Sequence, residues 1–497
     1  MFENLVLGFG VALQPVNVLY CIAGVVMGTA VGVLPGLGPL AAMAMLLPLT
    51  YGLEPIGSLI MLAGIYYGSQ YGGSTTAILI NLPGEAASAV TTLDGHQMAL
   101  KGRAGPALAA AALASFFAGT VATLLIALIA RPLTSIALSF GPAEYVGLMV
   151  LGLISSIALA SGSLLKALAM ICLGLLLGLT GTDTVTGATR FTFGVIDLQD
   201  GIDFVALAAG IYGIGEILRT LESRADRTVV TSPIGRLWPS RADLKRIVAP
   251  TLRGTGVGSI LGVLPGGGAL LASFMAYNLE KKASHRREEF GHGAIEGVAA
   301  PEAANNAGAQ TSFVPMLALG LPSNVVMAMM IGAMIMHGIT PGPNVISSNP
   351  DLFWGLIASM WIGNAILVLL NLPLIGVWIS LLRVPRDLLG PAIIVFCCIG
   401  VYSVGNNATP VYLIAIAGIV GYVLSRLGCE PAPFILGFIL GPMLEVNLRR
   451  ALLISGGSFT EFLTRPISAT LFGLSAVVLL MVSRPAIASR RGRVFVE

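Results

Sequence analysis

Charge is what this sequence has least of: only 10% of its 497 residues are Asp, Glu, Lys or Arg. A soluble protein carries roughly 25%, because its surface must be solvated. With 56% hydrophobic residues and a mean hydropathy of +0.89, the chain cannot cover a soluble surface of its size. Cysteine is scarce as well. Cys21, Cys172, Cys397, Cys398 and Cys429 are scattered without a C-x-x-C pair, so neither a metal site nor a disulfide framework is indicated. His96, His285, His292 and His337 do not cluster either. A primary pump is disfavoured because the phosphate loop G-x-x-x-x-G-K-[ST] is missing. G-x-S-x-G and H-E-x-x-H are absent, and no Ser–His or paired-Asp arrangement marks an intramembrane protease. The expectation is a protein with no catalytic residues, no cofactor and no nucleic-acid partner.

What the chain does have is long apolar runs. Residues 104–130 and 352–382 are long enough to cross a bilayer core of about 30 Å at 1.5 Å per residue. The fold class that follows is an all-α, polytopic membrane protein of roughly 12 membrane elements. The start, MFENLVLGFGVALQP, has no basic residue before its apolar run, so the first helix is expected to be retained rather than cleaved. Residues 219–253 hold Arg219, Arg224, Arg227, Arg236, Arg241, Lys245, Arg246 and Arg253. The positive-inside rule makes this segment a cytoplasmic linker, and Arg484, Arg490, Arg491 and Arg493 place the C-terminal tail on the same side. The implied organisation is a membrane repeat over 1–218, a linker over 219–253, a second repeat over 254–465, and a terminal helix and tail over 466–497.

The repeat rests on a duplicated motif. GTAVGVLPGLGP at 28–39 and GSILGVLPGGGA at 258–269 share G-x-x-x-G-V-L-P-G-x-G. Each is followed by a polar patch, Ser74, Thr75 and Thr76 in one half, and Asn305, Asn306, Gln310, Thr311 and Ser312 in the other. Each then has a Leu-Pro element, Asn81-Leu82-Pro83-Gly84 and Gly320-Leu321-Pro322-Ser323-Asn324. Breaks at corresponding places in two halves are the best sequence pointer to a transporter binding site, and an inverted relation of the repeats fits the expected sidedness. A half-helix N-terminus carries partial positive charge and free N–H donors suited to a carboxylate. Glycines at such breaks allow close backbone approach.

The candidate substrate-binding set is therefore Pro35, Gly36, Gly38, Ser74, Thr75, Thr76, Asn81, Pro83, Gly84, Pro265, Gly266, Gly267, Gly268, Asn305, Asn306, Pro322, Ser323 and Asn324. Intramembrane carboxylates are costly and usually functional. Glu302 is accordingly the candidate for cation coupling, with Asn305 and Thr311, or else caps a half-helix N-terminus, while Glu85 stands at an interface. The charged stretch 280–290 and the linker, both cytoplasmic, would make 254–280 a re-entrant hairpin with its tip at 264–268; a single kinked crossing is the alternative.

GVLPGLGP, YGGSTTAILINLPGEAASAVTTLDGHQMALKGRAGPAL, GVLPGGGALLASFMAYNLEKKAS and FGHGAIEGVAAPEAANNA resemble the large membrane subunit of tripartite tricarboxylate transporters over nearly the whole chain. The resemblance implies a bacterial inner-membrane permease working with a small four-helix membrane subunit and a periplasmic solute-binding protein. It also implies secondary import of organic acids, tricarboxylates such as citrate or dicarboxylates, driven by Na⁺ or H⁺. One departure is Ser323, which stands where the family pattern has a glycine. By analogy, duplicated hairpins suggest an elevator-type architecture. A channel or a non-transporting membrane scaffold is the alternative function.

Overall fold

The computed structural model describes residues 2–483 except 35–37, 138, 160–162, 184, 223–233, 265–267, 382–385 and 406. Pro35, Gly36, Pro265, Gly266 and Gly267, the tail arginines, and Arg224 and Arg227 therefore lie outside the described residues. Among the described residues the regular structure is helical apart from one two-stranded antiparallel hairpin, Gly181–Thr182 against Thr189–Arg190. Among the described residues, five helices are long and apolar enough to cross a membrane: Pro15–Val33, Ala104–Ala130, Pro350–Asn371, Thr409–Arg426 and Pro431–Ile454. Further apolar helices, such as Pro39–Thr50 and Val325–Met336, are shorter. This is a multi-pass membrane protein.

Eight helices build the centre: α1 (Pro15–Val33), α2 (Pro39–Thr50), α3 (Pro55–Ile80), α4 (Ala104–Ala137), α5 (Arg241–Val263), α6 (Gly268–Ala283), α7 (Glu296–Thr311) and α8 (Pro350–Asn371). Helix α5 begins inside the segment that the charge pattern assigns to the linker. Ser240 starts it as N-cap, accepting from the Asp243 N–H at 3.1 Å while Asp243 reaches back to the Ser240 N–H.

Small residues decide how these helices meet. A Cβ placed on Gly24, Gly28 or Gly32 of α1 would fall 2.3, 2.4 and 2.4 Å from the carbonyl oxygens of Met61, Ile65 and Ser69 on α3. Such contact is open only to glycine, and it brings the two backbones together as in small-residue membrane helix pairs. Helices α5 and α7 meet in the same way: Gly254, Gly258 and Gly262 lie against the carbonyl oxygens of Ala300, Ala304 and Gly308, at 2.2, 2.3 and 2.4 Å from the built Cβ.

The order of these contacts fixes direction. Gly24, Gly28 and Gly32 meet α3 residues of rising number, so α1 and α3 run parallel, and the one helix between them, α2, must run back. The same holds for α5, α6 and α7. There the return is also marked by an ion pair between the arms, Arg253 to Glu280 at 2.7 Å. The helices on either side of each motif break therefore run in opposite directions and do not form one kinked crossing.

After the hairpins the two halves interlock. Helix α4 packs on α7 of the second half, and α8 packs on α3 of the first. Asn364 of α8 accepts a hydrogen bond from the Tyr71 hydroxyl at 2.8 Å and donates to Phe116 O and Thr120 Oγ1 of α4 at 2.8 and 3.1 Å. Residues 86–100 wind as 3-10, π and α turns. Buried Asp94 in this stretch accepts from the backbone N–H groups of Gly291, Gly293 and Ala294 at 2.9, 2.8 and 2.8 Å, and from Tyr277 OH at 2.9 Å. Four donors satisfy the carboxylate and clamp the second half onto the first.

Candidate binding cavity and a buried carboxyl

The starts of α2 and α6, just after the two motif breaks, line one cavity of ≈ 580 Å³. Gly38 of the first motif faces Gly84 O at 3.9 Å from its built Cβ, and Gly268 of the second faces Asn324 Cβ at 4.0 Å. All four residues line the cavity, as does Pro83. Consequently each helix start touches the Leu-Pro element of its own half, and the two pairs share one space.

Helix starts converge on this space. Its wall includes Gly38–Ala41 at the start of α2, Gly268–Leu270 at the start of α6, Asn324–Val326 at the start of the Val325–Met336 helix, and Glu85–Ala87 at the start of a 3-10 turn. The first N–H groups of a helix have no intrahelical partner and carry partial positive charge, so these starts favour an anion. Asn324 already caps its own helix, accepting from the Met327 N–H at 2.9 Å, whereas α2 has no side-chain cap. Among the described lining residues the only cation is Arg219, held by Glu216 at 2.7 Å. Glu85 and Glu216 stand in the same wall, and Glu85 caps its own 3-10 turn, so the N–H groups without a side-chain cap are those at the start of α2.

Behind the cavity lies Glu302, 1% exposed on α7. Ser74 of α3 donates to its Oε2 at 2.5 Å, and Thr91 donates to its Oε1. No described cationic side chain forms an ion pair with it. One turn along α7, Asn305 donates to Glu85 Oε1 at 3.1 Å, so α7 links the buried carboxyl to the carboxyl in the cavity wall. Gly73 makes room for that link, since its Cβ would meet Glu85 Cγ at 2.8 Å. Asn306 donates to Ser115 Oγ of α4 at 2.7 Å, and a narrow second cavity beside Glu302 is lined by Tyr71, Ser74, Thr75, Ser115 and Asn371.

The other sequence candidates divide by position. Thr75, Thr76 and Thr311 bond backbone carbonyls of their own helices, Tyr71 O at 3.4 Å, Gly73 O at 2.9 Å and Ala307 O at 2.9 Å. Asn81 is exposed and ends α3 in the left-handed region, φ 57°. Gly320 occupies the matching position at φ 71°. Pro322 and Ser323 are buried, with Ser323 Oγ donating to Ser312 O at 3.2 Å. Thus Ser323 sits in a polar bond of its own where the first half has Gly84, whose Cβ would lie 2.0 Å from Gly32 O. The sequence did not single out Thr91, Ser115, Tyr71 or Asn364; the two asparagines of α8, Asn364 and Asn371, stand out in its apolar run.

Residues 18–436 match the model described as "Tripartite tricarboxylate transporter TctA family". The chain is 60% identical over 497 residues, all of this chain and 99% of the relative, to the "Uncharacterized 52.8 kDa protein in TAR-I ttuC' 3'region" of Agrobacterium vitis. It is also 60% identical over 240 residues, 48% of this chain and 99% of the relative, to the "Uncharacterized protein in TAR-II ttuC' 3'region" of the same organism. No solved structure matches.

Proposed function

Because this chain belongs to the tripartite tricarboxylate transporter TctA family, we propose that it is the large permease subunit of a secondary importer of organic acids. Family members work with a small membrane subunit and a periplasmic binding subunit. The partners here would be a small four-helix membrane protein and a periplasmic solute-binding protein, in a bacterial inner membrane. The observation that carries the reading is the convergence of helix starts from both halves on one cavity, with a buried carboxyl behind it. A carboxylate substrate would lie against the N–H groups at the hairpin turns, as at other helix-terminus anion sites.

Glu302 is the proposed coupling group. A charge buried without a cationic partner costs several kcal/mol, and two hydroxyl donors do not neutralise it. A proton or Na⁺ accompanying the substrate would remove that cost, and the Asn305–Glu85 link would pass the change of charge to the cavity. The two halves act as inverted repeats among roughly 12 membrane elements, and the paired hairpins move as one elevator unit against the outer helices. Matching left-handed caps at Asn81 and Gly320 support the repeat. Arg219 lines the cavity near the described end of the segment before the basic linker, which supports a cavity mouth on the cytoplasmic side.

The test is uptake of labelled citrate and succinate into vesicles holding all three components, with Na⁺ and H⁺ gradients imposed separately. Acceleration by one gradient is expected. Uptake that ignores both gradients and requires ATP would sink the proposal.

A further inference from the structure

Helices α5 and α6 each leave one face outside the packing of the chain. On α5 it carries Arg241, Lys245, Val248, Leu252, Gly256 and Ile260, and on α6 Leu271, Met275, Leu279 and Lys282. Residues three or four apart share one side of a helix. Leu252 and Ile260 are 55% and 68% exposed. In a multi-pass membrane protein such apolar stripes meet lipid chains. Both stripes turn basic at the same end, because the helices run in opposite directions: α5 starts there and α6 ends there. The Arg253–Glu280 pair marks one height on the two helices. Lys281 and Lys282 follow directly, and Lys245 lies about two turns beyond Arg253 on α5.

The charges at this end do not balance. Asp243 pairs with Arg103, Glu280 with Arg253, and Glu289 and Glu296 with Arg246, at 2.5 to 2.7 Å. Among the described residues Arg241, Lys245, Lys281 and Lys282 are exposed and in no ion pair. Glu288 is the one carboxylate of 241–253 and 280–289 outside such a pair. An excess of positive charge therefore stands where two lipid-facing stripes end.

We infer that this end of α5 and α6 binds the phosphate groups of anionic phospholipids through Lys245, Lys281 and Lys282. A lysine continues the stripe with its apolar stem and carries its ammonium into the headgroup layer. Basic side chains at a membrane surface attract anionic lipids. A protein laid over the same stripes would have to bring carboxylates to these lysines, whereas headgroups of the surrounding bilayer meet them by position alone. The site is separate from the cavity and does not depend on what that cavity takes.

The test titrates phosphatidylglycerol into the purified full chain in neutral detergent and reads thermal unfolding. The lipid should raise the unfolding temperature of the unaltered chain. One lysine at an anionic surface strengthens the attraction about fivefold. Lys245→Gln alone should raise the lipid concentration at half-effect by that factor, and Lys245→Gln, Lys281→Gln and Lys282→Gln together by about a hundredfold. Lys245→Arg, Lys281→Arg and Lys282→Arg together should leave it nearly unchanged. Unchanged half-effect concentrations in the Gln variants overturn the inference. If those variants also unfold lower without lipid, Lys281 and Lys282 serve the last turn of α6 instead, where cations favour the helix dipole. An equal shift from phosphatidylcholine or from inorganic phosphate overturns it too, because the surface then does not select an anionic lipid. If the small membrane subunit, purified with the chain, abolishes the lipid effect, that protein covers the stripes and the inference falls.

Discussion

Asn81 and Gly320 meet the same backbone demand with different residues. Both end a helix in the left-handed region, at φ 57° and 71°, just before a Leu-Pro element. A β-branched residue there costs roughly 1–2 kcal/mol in conformation alone. Gly320 is also crowded, its Cβ 2.7 Å from Pro341 O, while Asn81 is exposed. Gly320→Val should therefore lower the unfolding temperature clearly, and Asn81→Gly should leave it nearly unchanged; equal effects would contradict this reading. At Glu302, Thr91 matters as much as Ser74, because each supplies one of the two hydroxyl donors. The sequence exposed Ser74 and Glu302 through the motif, but Thr91 lies in a stretch whose turns come from tertiary packing rather than from any hydrophobic period. Contacts between residues more than two hundred positions apart leave no local trace in composition.

Among the elements, the glycine-spaced helix pairs dominate. Gly28→Leu and Gly258→Leu push a side chain into a carbonyl 2.4 or 2.3 Å from the built Cβ, and should destabilise by about 1–3 kcal/mol or more. Gly256, on α5 itself, has nothing within 4 Å, so Gly256→Leu is the matched control and should be tolerated. Thermal unfolding in detergent reads both, and equal losses would contradict the packing. The spacing of these glycines was legible beforehand. What was not legible was their order of contact, which decides between a reversal of direction and a kinked crossing at each break.

Outside the membrane elements, the hairpin of Gly181–Thr182 and Thr189–Arg190 is tied down by Asp183. The Val185 N–H at 2.9 Å, the Thr186 hydroxyl at 2.8 Å and Arg190 hold its carboxyl below the usual carboxylate range. Because the folded value is depressed, its stabilisation is present above the unfolded value of about 4 and is lost as pH falls below it. Asp183→Asn should lower the unfolding temperature at neutral pH, with the gap to the unaltered chain closing in acid. A gap that widened in acid would be the wrong sign.

For the whole molecule, the membrane class was readable from scarce charge and long apolar runs. The packing of the first half of the chain into the second was not. It arises because α4 packs on α7 and α8 on α3, so Glu302 of one half receives its donors from Ser74 and Thr91 of the other. An isolated half would lack a complete environment for either the cavity or the carboxyl. Expressed separately, the two halves should bind no acid until mixed, and binding by one half alone would contradict this dependence.

The proposed coupling is tested most directly by Glu302→Gln in vesicles holding all three components. Gln keeps the size and hydrogen-bonding capacity of the side chain but cannot carry the charge. Accumulation of labelled acid against its gradient should be lost, while exchange of internal for external acid persists and no longer responds to Na⁺ or H⁺. Accumulation that continues with its ion dependence intact would contradict the assignment of Glu302 as the coupling group.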